Sequence, residues 1–166
     1  MTAPAEQPAV KARFIAFEGG EGVGKSTQAK RLVAALAERG IEALLTREPG
    51  GTKGAEMIRK LLLEPPGTGW LVQAEAMLFA AARSDHVAKA IKPALMAGKW
   101  VVCDRFVLSS RAYQGLAGGL GDEEVKTLHK IGSGGSRKAV GTLGAAGLIS
   151  ELQLQLECSE AVNQPL

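Results

Sequence analysis

The sequence predicts an α/β fold, a doubly wound parallel sheet with helices on both faces and an incomplete C-terminal part. Three observations predict it. Short apolar runs alternate with stretches of helical period, as parallel strands and their crossover helices require. The first run, Phe14-Ile15-Ala16-Phe17, leads into Gly19-Gly20-Glu21-Gly22-Val23-Gly24-Lys25-Ser26 and then into a helical segment. Glu18, Arg47 and Asp104 fall at or just beyond the ends of expected strands. That rim, at the carboxyl ends of the strands, is where such sheets bind their ligands.

The elements follow in chain order. Residues 13–18 read as a buried strand. Residues 26–39 carry Leu32, Val33 and Leu36 at helical spacing, and Gly40 ends that helix. Residues 42–46 form a second strand, and Pro49, Gly50 and Gly51 force a turn. Thr52 caps a helix reaching about Leu63, with Met57, Ile58, Leu61 and Leu62 as its expected inner face. Pro65, Pro66 and Gly67 break the chain. A long helical stretch starts at Gln73, is kinked or divided at Pro93, and ends at Gly98. Residues 99–104, with Trp-Val-Val-Cys, form a third buried strand.

Bulk composition narrows the class. The chain has 166 residues, enough for one domain with a real core. Hydrophobic residues make up 46% and charged residues 22%, which is ordinary globular usage. A net charge of +3 is too small to argue for nucleic acid as a partner. The two cysteines are Cys103, inside an apolar run and expected buried, and Cys158. They offer neither a disulfide framework nor a metal site, so a reducing cytoplasm is the expected location. No apolar stretch is long enough for a membrane span, and no membrane partner is expected. Residues 1–11 lack an apolar signal region and are expected to form a disordered tail.

The glycine-rich run fits G-x-x-x-x-G-K-[ST] at every fixed position. Glycines let backbone N–H groups wrap a polyphosphate, and the following helix N-terminus adds partial positive charge. Lys25 can reach the β- and γ-phosphates, and the Ser26 hydroxyl can bind Mg²⁺. The fold is therefore P-loop NTPase-like, with a nucleoside triphosphate and Mg²⁺ as expected cofactors. Gly19, Gly20, Glu21, Gly22, Val23, Gly24, Lys25, Ser26 and Thr27 form the candidate nucleotide-binding loop. Asp104-Arg105-Phe106 follows the third strand directly. A carboxylate there can hold Mg²⁺ through water, and an arginine offers a fork of donors to phosphate.

With these pieces in place the chain resembles the thymidylate kinase family over residues 13–135. Four segments carry the resemblance. They are Phe17 to Thr27; Thr46-Arg47-Glu48-Pro49-Gly50-Gly51-Thr52; Leu78-Phe79-Ala80-Ala81-Ala82-Arg83; and Asp104-Arg105-Phe106 with Ser109-Ser110-Arg111-Ala112-Tyr113-Gln114-Gly115. The resemblance implies a nucleoside monophosphate kinase-like domain over 12–135 and phosphoryl transfer from MgATP to dTMP. It implies Lys25, Asp104 and Arg105 as catalytic residues, with Ser26 and Asp104 at the metal. By the same resemblance Phe79 is expected to stack on thymine, and Arg83, one helical turn on, to donate to a base oxygen. Ser110 and Gln114 are expected to read thymine and its surroundings. Tyr113 and Pro49 are expected to bound the sugar, Glu21 to approach a sugar hydroxyl or the magnesium, and Arg47 and Arg105 to clamp the dTMP phosphate. A homodimer through helices flanking the sheet, including residues 74–87, is a further implication.

After Gly135 the resemblance stops. No apolar strand with an acidic turn and no arginine-bearing lid is expected in residues 136–166, a divergent tail. A frameshift, a premature end and a fusion boundary are the alternatives for its origin. Leu152 to Leu156 alternates with period two, and 148–157 reads equally as helix. The phosphate loop has no arginine of its own, so two functions stand at this point. One is a working dTMP kinase. The other is a non-catalytic nucleotide-binding remnant of one.

Overall fold

A computed structural model describes residues 12–133 and the backbone of Thr142–Gly144. The expectations for residues 1–11, for the rest of 136–166 and for Cys158 lie outside the described residues. Strands β1 (Phe14–Glu18), β2 (Ala43–Arg47), β3 (Trp100–Asp104) and β4 (Thr142–Gly144) form one parallel sheet in the order β2-β3-β1-β4. All five residues of β1 are buried, as expected of a strand inside a parallel sheet. The edge strand β2 is half-exposed, and its Leu45 is open to solvent.

Alternation along the central strands divides the core in two. Phe14, Ala16, Val101 and Cys103 face one side, where Val87, Ile91 and Phe106 cover them. Ile15, Phe17 and Val102 face the other, against Ala29 and Leu36 of α1 (Lys25–Ala37). Cys103 is fully buried, and burial pushes its thiol well above the ordinary range. Gly40, at φ 70°, ends the chain's run after α1 in the left-handed conformation that glycine adopts without strain.

Helix α2 (Lys53–Leu63) begins as expected, with the Thr52 hydroxyl accepting from the Ala55 amide at 3.1 Å. Its inner face differs from the sequence expectation. Ala55 is buried and Ile58 and Leu62 are half-buried, whereas Met57 and Leu61 are exposed. The apolar stripe is wider than the contact with α3 (Val72–His86), so two of its four residues are left outside. After α3 the chain makes a π-helical turn, Val87–Ile91, before the short α4 (Lys92–Met96). Pro93 sits in the first turn of α4, where the missing amide is tolerated.

Beyond Asp104 the structure adds elements that periodicity did not mark. These are α5 (Val107–Ser110), a π-helical segment Arg111–Ala117, and α6 (Asp122–Gly132). α6 opens on Asp122, Glu123 and Glu124 and closes on His129 and Lys130, each end matching the helix dipole. One further short strand lies beyond Gly135, in the part where the family's apolar strand and lid are not expected. Thr142–Gly144 pairs in parallel with β1, Ala16 opposite Thr142. No apolar run announces it, because three residues are too few to show a period.

Candidate active site

The carboxyl ends of β1, β2 and β3 meet at one rim, with Arg47 in register with Asp104. The glycine loop rises from β1, and Gly22 and Gly24 adopt φ of 73° and 88°. Gly24 hands the chain directly to α1, so the loop amides and the helix N-terminus stand together. Lys25 is buried, and its Nζ donates to the Gly20 carbonyl. Gly19, Gly20, Glu21, Val23, Ser26 and Thr27 are exposed.

Ser26 Oγ donates to Asp104 Oδ2 across the gap between α1 and β3. The other oxygen, Asp104 Oδ1, is buried with no hydrogen-bond partner among the described residues. A hydroxyl against a carboxylate with an idle buried oxygen is the hard-oxygen donor set that Mg²⁺ prefers. These residues fit that ion.

Arg105 follows with φ 71°. Its Nη1 donates to Gly19 O at 3.0 Å and to Ser109 Oγ at 3.1 Å, and its guanidinium lies 5.5 Å from the Tyr113 ring centroid. Glu18, at the end of β1, fixes this turn. Its Oε1 accepts from the amides of Phe106 at 2.9 Å and Leu108 at 3.1 Å, and its Oε2 accepts from Ser109 Oγ at 2.5 Å. The loop after β1 and the turn after β3 are thus tied by a buried carboxylate.

Arg83 is buried rather than a solvated charge. Nε donates to Glu48 Oε2 at 2.7 Å and Nη2 to Ser110 Oγ at 3.0 Å, with the guanidinium 5.2 Å from the Phe106 ring centroid. Phe79, one turn earlier, is half-buried. Gln114 is buried, and its amide donates to Glu75 Oε1 at 2.7 Å. Tyr113 is exposed. Pro49 is half-buried, and its carbonyl accepts from Arg59 at 2.9 Å. Arg47 is exposed and paired with Glu56 at 3.1 Å. The Gly51 amide and then Arg47 hold the Glu56 carboxyl below its usual range.

The structure therefore gathers Arg83, Ser110 and Phe106 by direct contact, and separately Ser26 with Asp104. Glu21 has no side-chain contact to the other candidates among the described bonds. Sequence reasoning gave Glu48 and His86 no role. Glu48 is buried, and His86 Nδ1 lies 3.1 Å from its Oε1. A signal was available, since His86 is three residues beyond Arg83 and so shares its helix face.

The family profile described as Thymidylate kinase matches residues 17–133. A thymidylate kinase of Rhizorhabdus wittichii is 67% identical over 123 residues, covering 74% of this chain and 59% of that protein. One from Symbiobacterium thermophilum is 52% identical over 124 residues, covering 75% of this chain and 58% of that protein. The chain thus spans 59% and 58% of the length of these two curated relatives. The crystal structure of thymidylate kinase from Ehrlichia chaffeensis superposes with a TM-score of 0.69 at 41% identity, over 74% of this chain and 65% of that one. On the strength of a profile that takes in most of its length, and of a solved fold that superposes over 74% of it, this chain belongs to the thymidylate kinase family.

Proposed function

We propose that the chain transfers the γ-phosphoryl group of MgATP to dTMP, giving dTDP and ADP, as a step of dTTP synthesis. The observation that carries this reading is the placement of two chemistries on one rim. Lys25 and Ser26 begin α1 opposite Asp104 at the end of β3, and the buried Arg83–Ser110 pair is joined to that rim through Glu48, whose amide donates to the Asp104 carbonyl at 2.9 Å.

A phosphate oxygen of dTMP is already a nucleophile and needs no strong base. It attacks the γ-phosphorus, the bond to the β-bridging oxygen breaks, and ADP leaves with that electron pair. The protein's work is positioning and charge neutralisation. The loop amides of 19–27 and Lys25 hold the donor phosphates. Ser26 and Asp104 would hold Mg²⁺, which when bound would offset negative charge on the phosphates. Arg47 and Arg105 hold the acceptor phosphate. Phe79, Arg83, Ser110 and Gln114 take the base, and Tyr113 and Pro49 wall the sugar. Glu21 serves the sugar hydroxyl or the metal.

The domain runs over 12–135, and its location is the cytoplasm. Among the described residues no helix is long and apolar enough to cross a membrane. The exposed Met57 and Leu61 of α2 and Met77 of α3 support a homodimer through those helices. Sedimentation equilibrium should give twice the chain mass, and Met77→Glu should return the monomer.

A coupled assay for ADP with MgATP and dTMP tests the activity, with dUMP and dCMP as comparators. Turnover with dTMP well above the comparators is the expected result. Folded protein that binds dTMP without turnover would favour the non-catalytic alternative instead.

A further inference from the structure

Residues 46–54 grip a single turn of α3. Thr46 Oγ1 meets His86 Nε2 at 2.7 Å, and His86 Nδ1 meets Glu48 Oε1 at 3.1 Å. Glu48 Oε2 receives Arg83 Nε at 2.7 Å. The Thr52 hydroxyl donates to Asp85 on the same turn. In extended backbone Thr46 and Glu48 point away from the side Arg47 faces, so one short run serves two directions. Arg47 is exposed at the rim, and Glu48 is buried against the helix.

Gly51 fits the same purpose. A Cβ there would lie 2.5 Å from His86 Nε2, and its φ is +84°. Only a residue without a side chain lets the turn lie against the imidazole. The imidazole completes the chain of contacts, with Nδ1–H donating to Glu48 and Nε2 bonded to the Thr46 hydroxyl. His86, Arg83 and Glu48 are 0%, 3% and 5% exposed. A buried ion pair adds little net stability over apolar residues of similar size. What this one does supply is orientation. The guanidinium is fixed at Nε by Glu48, at Nη2 by Ser110 and on one face by Phe106, and neither hydrogen bond uses Nη1.

We propose that Glu48 and His86 are positioning residues for nucleobase recognition. Glu48 sets the plane of the Arg83 guanidinium, and His86, held by Thr46, sets Glu48. This rests on the reading of Arg83 as the donor to the base. It adds that the run carrying the phosphate-side Arg47 also aims the base-side arginine.

The test is calorimetric titration of the full chain with dTMP and with 2-deoxyribose 5-phosphate, which keeps the sugar and phosphate but lacks the base. Glu48→Gln should weaken dTMP about tenfold and leave 2-deoxyribose 5-phosphate within about twofold of wild type. Thr46→Val, at the far end of the chain, should weaken dTMP about threefold in the same selective way. Arg47→Ala should weaken both ligands alike. A merely structural role for Glu48 would lower both affinities together, and that result would overturn the proposal. So would an unchanged ratio in both Glu48→Gln and Thr46→Val. Circular dichroism checks folding, and if Glu48→Gln does not fold, the near-isosteric Thr46→Val decides. A wild-type chain that binds 2-deoxyribose 5-phosphate as tightly as dTMP would overturn the base-recognition reading itself, and this proposal with it.

Discussion

Lys25 sits where the Gly20 carbonyl, the glycine loop and the start of α1 converge. Lys25→Ala should lower the dTMP-dependent rate by at least about 10²–10³-fold, measured by the ADP-coupled assay. Wild-type-like activity in that variant would refute the assignment. The glycine loop was legible residue by residue, because each position has a local reason. Glycines free the backbone, Lys25 adds charge, and Ser26 adds an oxygen. Arg83 was legible only as a motif member. Its burial depends on Glu48, which is 35 residues away in sequence and has no local signature. Gln114 shows the same limit, since its partner Glu75 lies on another helix.

Helix α2 was readable at its start and misread along its side. Thr52 has the residue type and extended backbone of a cap, so Thr52→Ala should cost about 1 kcal/mol in urea denaturation. The side was misread because helical spacing gives an apolar stripe but not how much of it a neighbour covers. Met57, 70% exposed, is the clear case. Helix α6 carries a pH dependence. His129 stacks edge-on to Phe106 with centroids 5.5 Å apart, and burial, then the Arg83 charge, lowers its pKa from 6.5. The unfolded chain therefore takes up this proton first. The neutral ring's contribution is complete above about pH 6.5 and falls as pH drops toward the depressed folded value. Between pH 7.5 and 5.5 the urea midpoint of wild type should drop more than that of His129→Leu. Equal drops would show that His129 has no such role.

At the scale of the molecule, the parallel sheet and its two helix-covered faces followed from apolar runs and crossover helices, whereas the strand order came only from the structure. The short β4 did not follow from such runs, because its pairing with β1 depends on backbone register rather than on side chains. Ile15, 2% exposed on the central strand, anchors the layer beneath α1. Ile15→Ala should cost about 2–5 kcal/mol, a large share of the ~5–15 kcal/mol that holds an ordinary domain folded. Chemical denaturation of the purified variant measures it. Arg105 sets a different tension. It is the one non-glycine among the described residues with a left-handed backbone, a conformation that costs a side-chain-bearing residue about 1–2 kcal/mol. Heat resistance and the phosphate-holding role proposed for Arg105 would thus select opposite residues at one codon. A library randomised there should drift to glycine under thermal challenge and return to arginine when growth depends on dTMP phosphorylation.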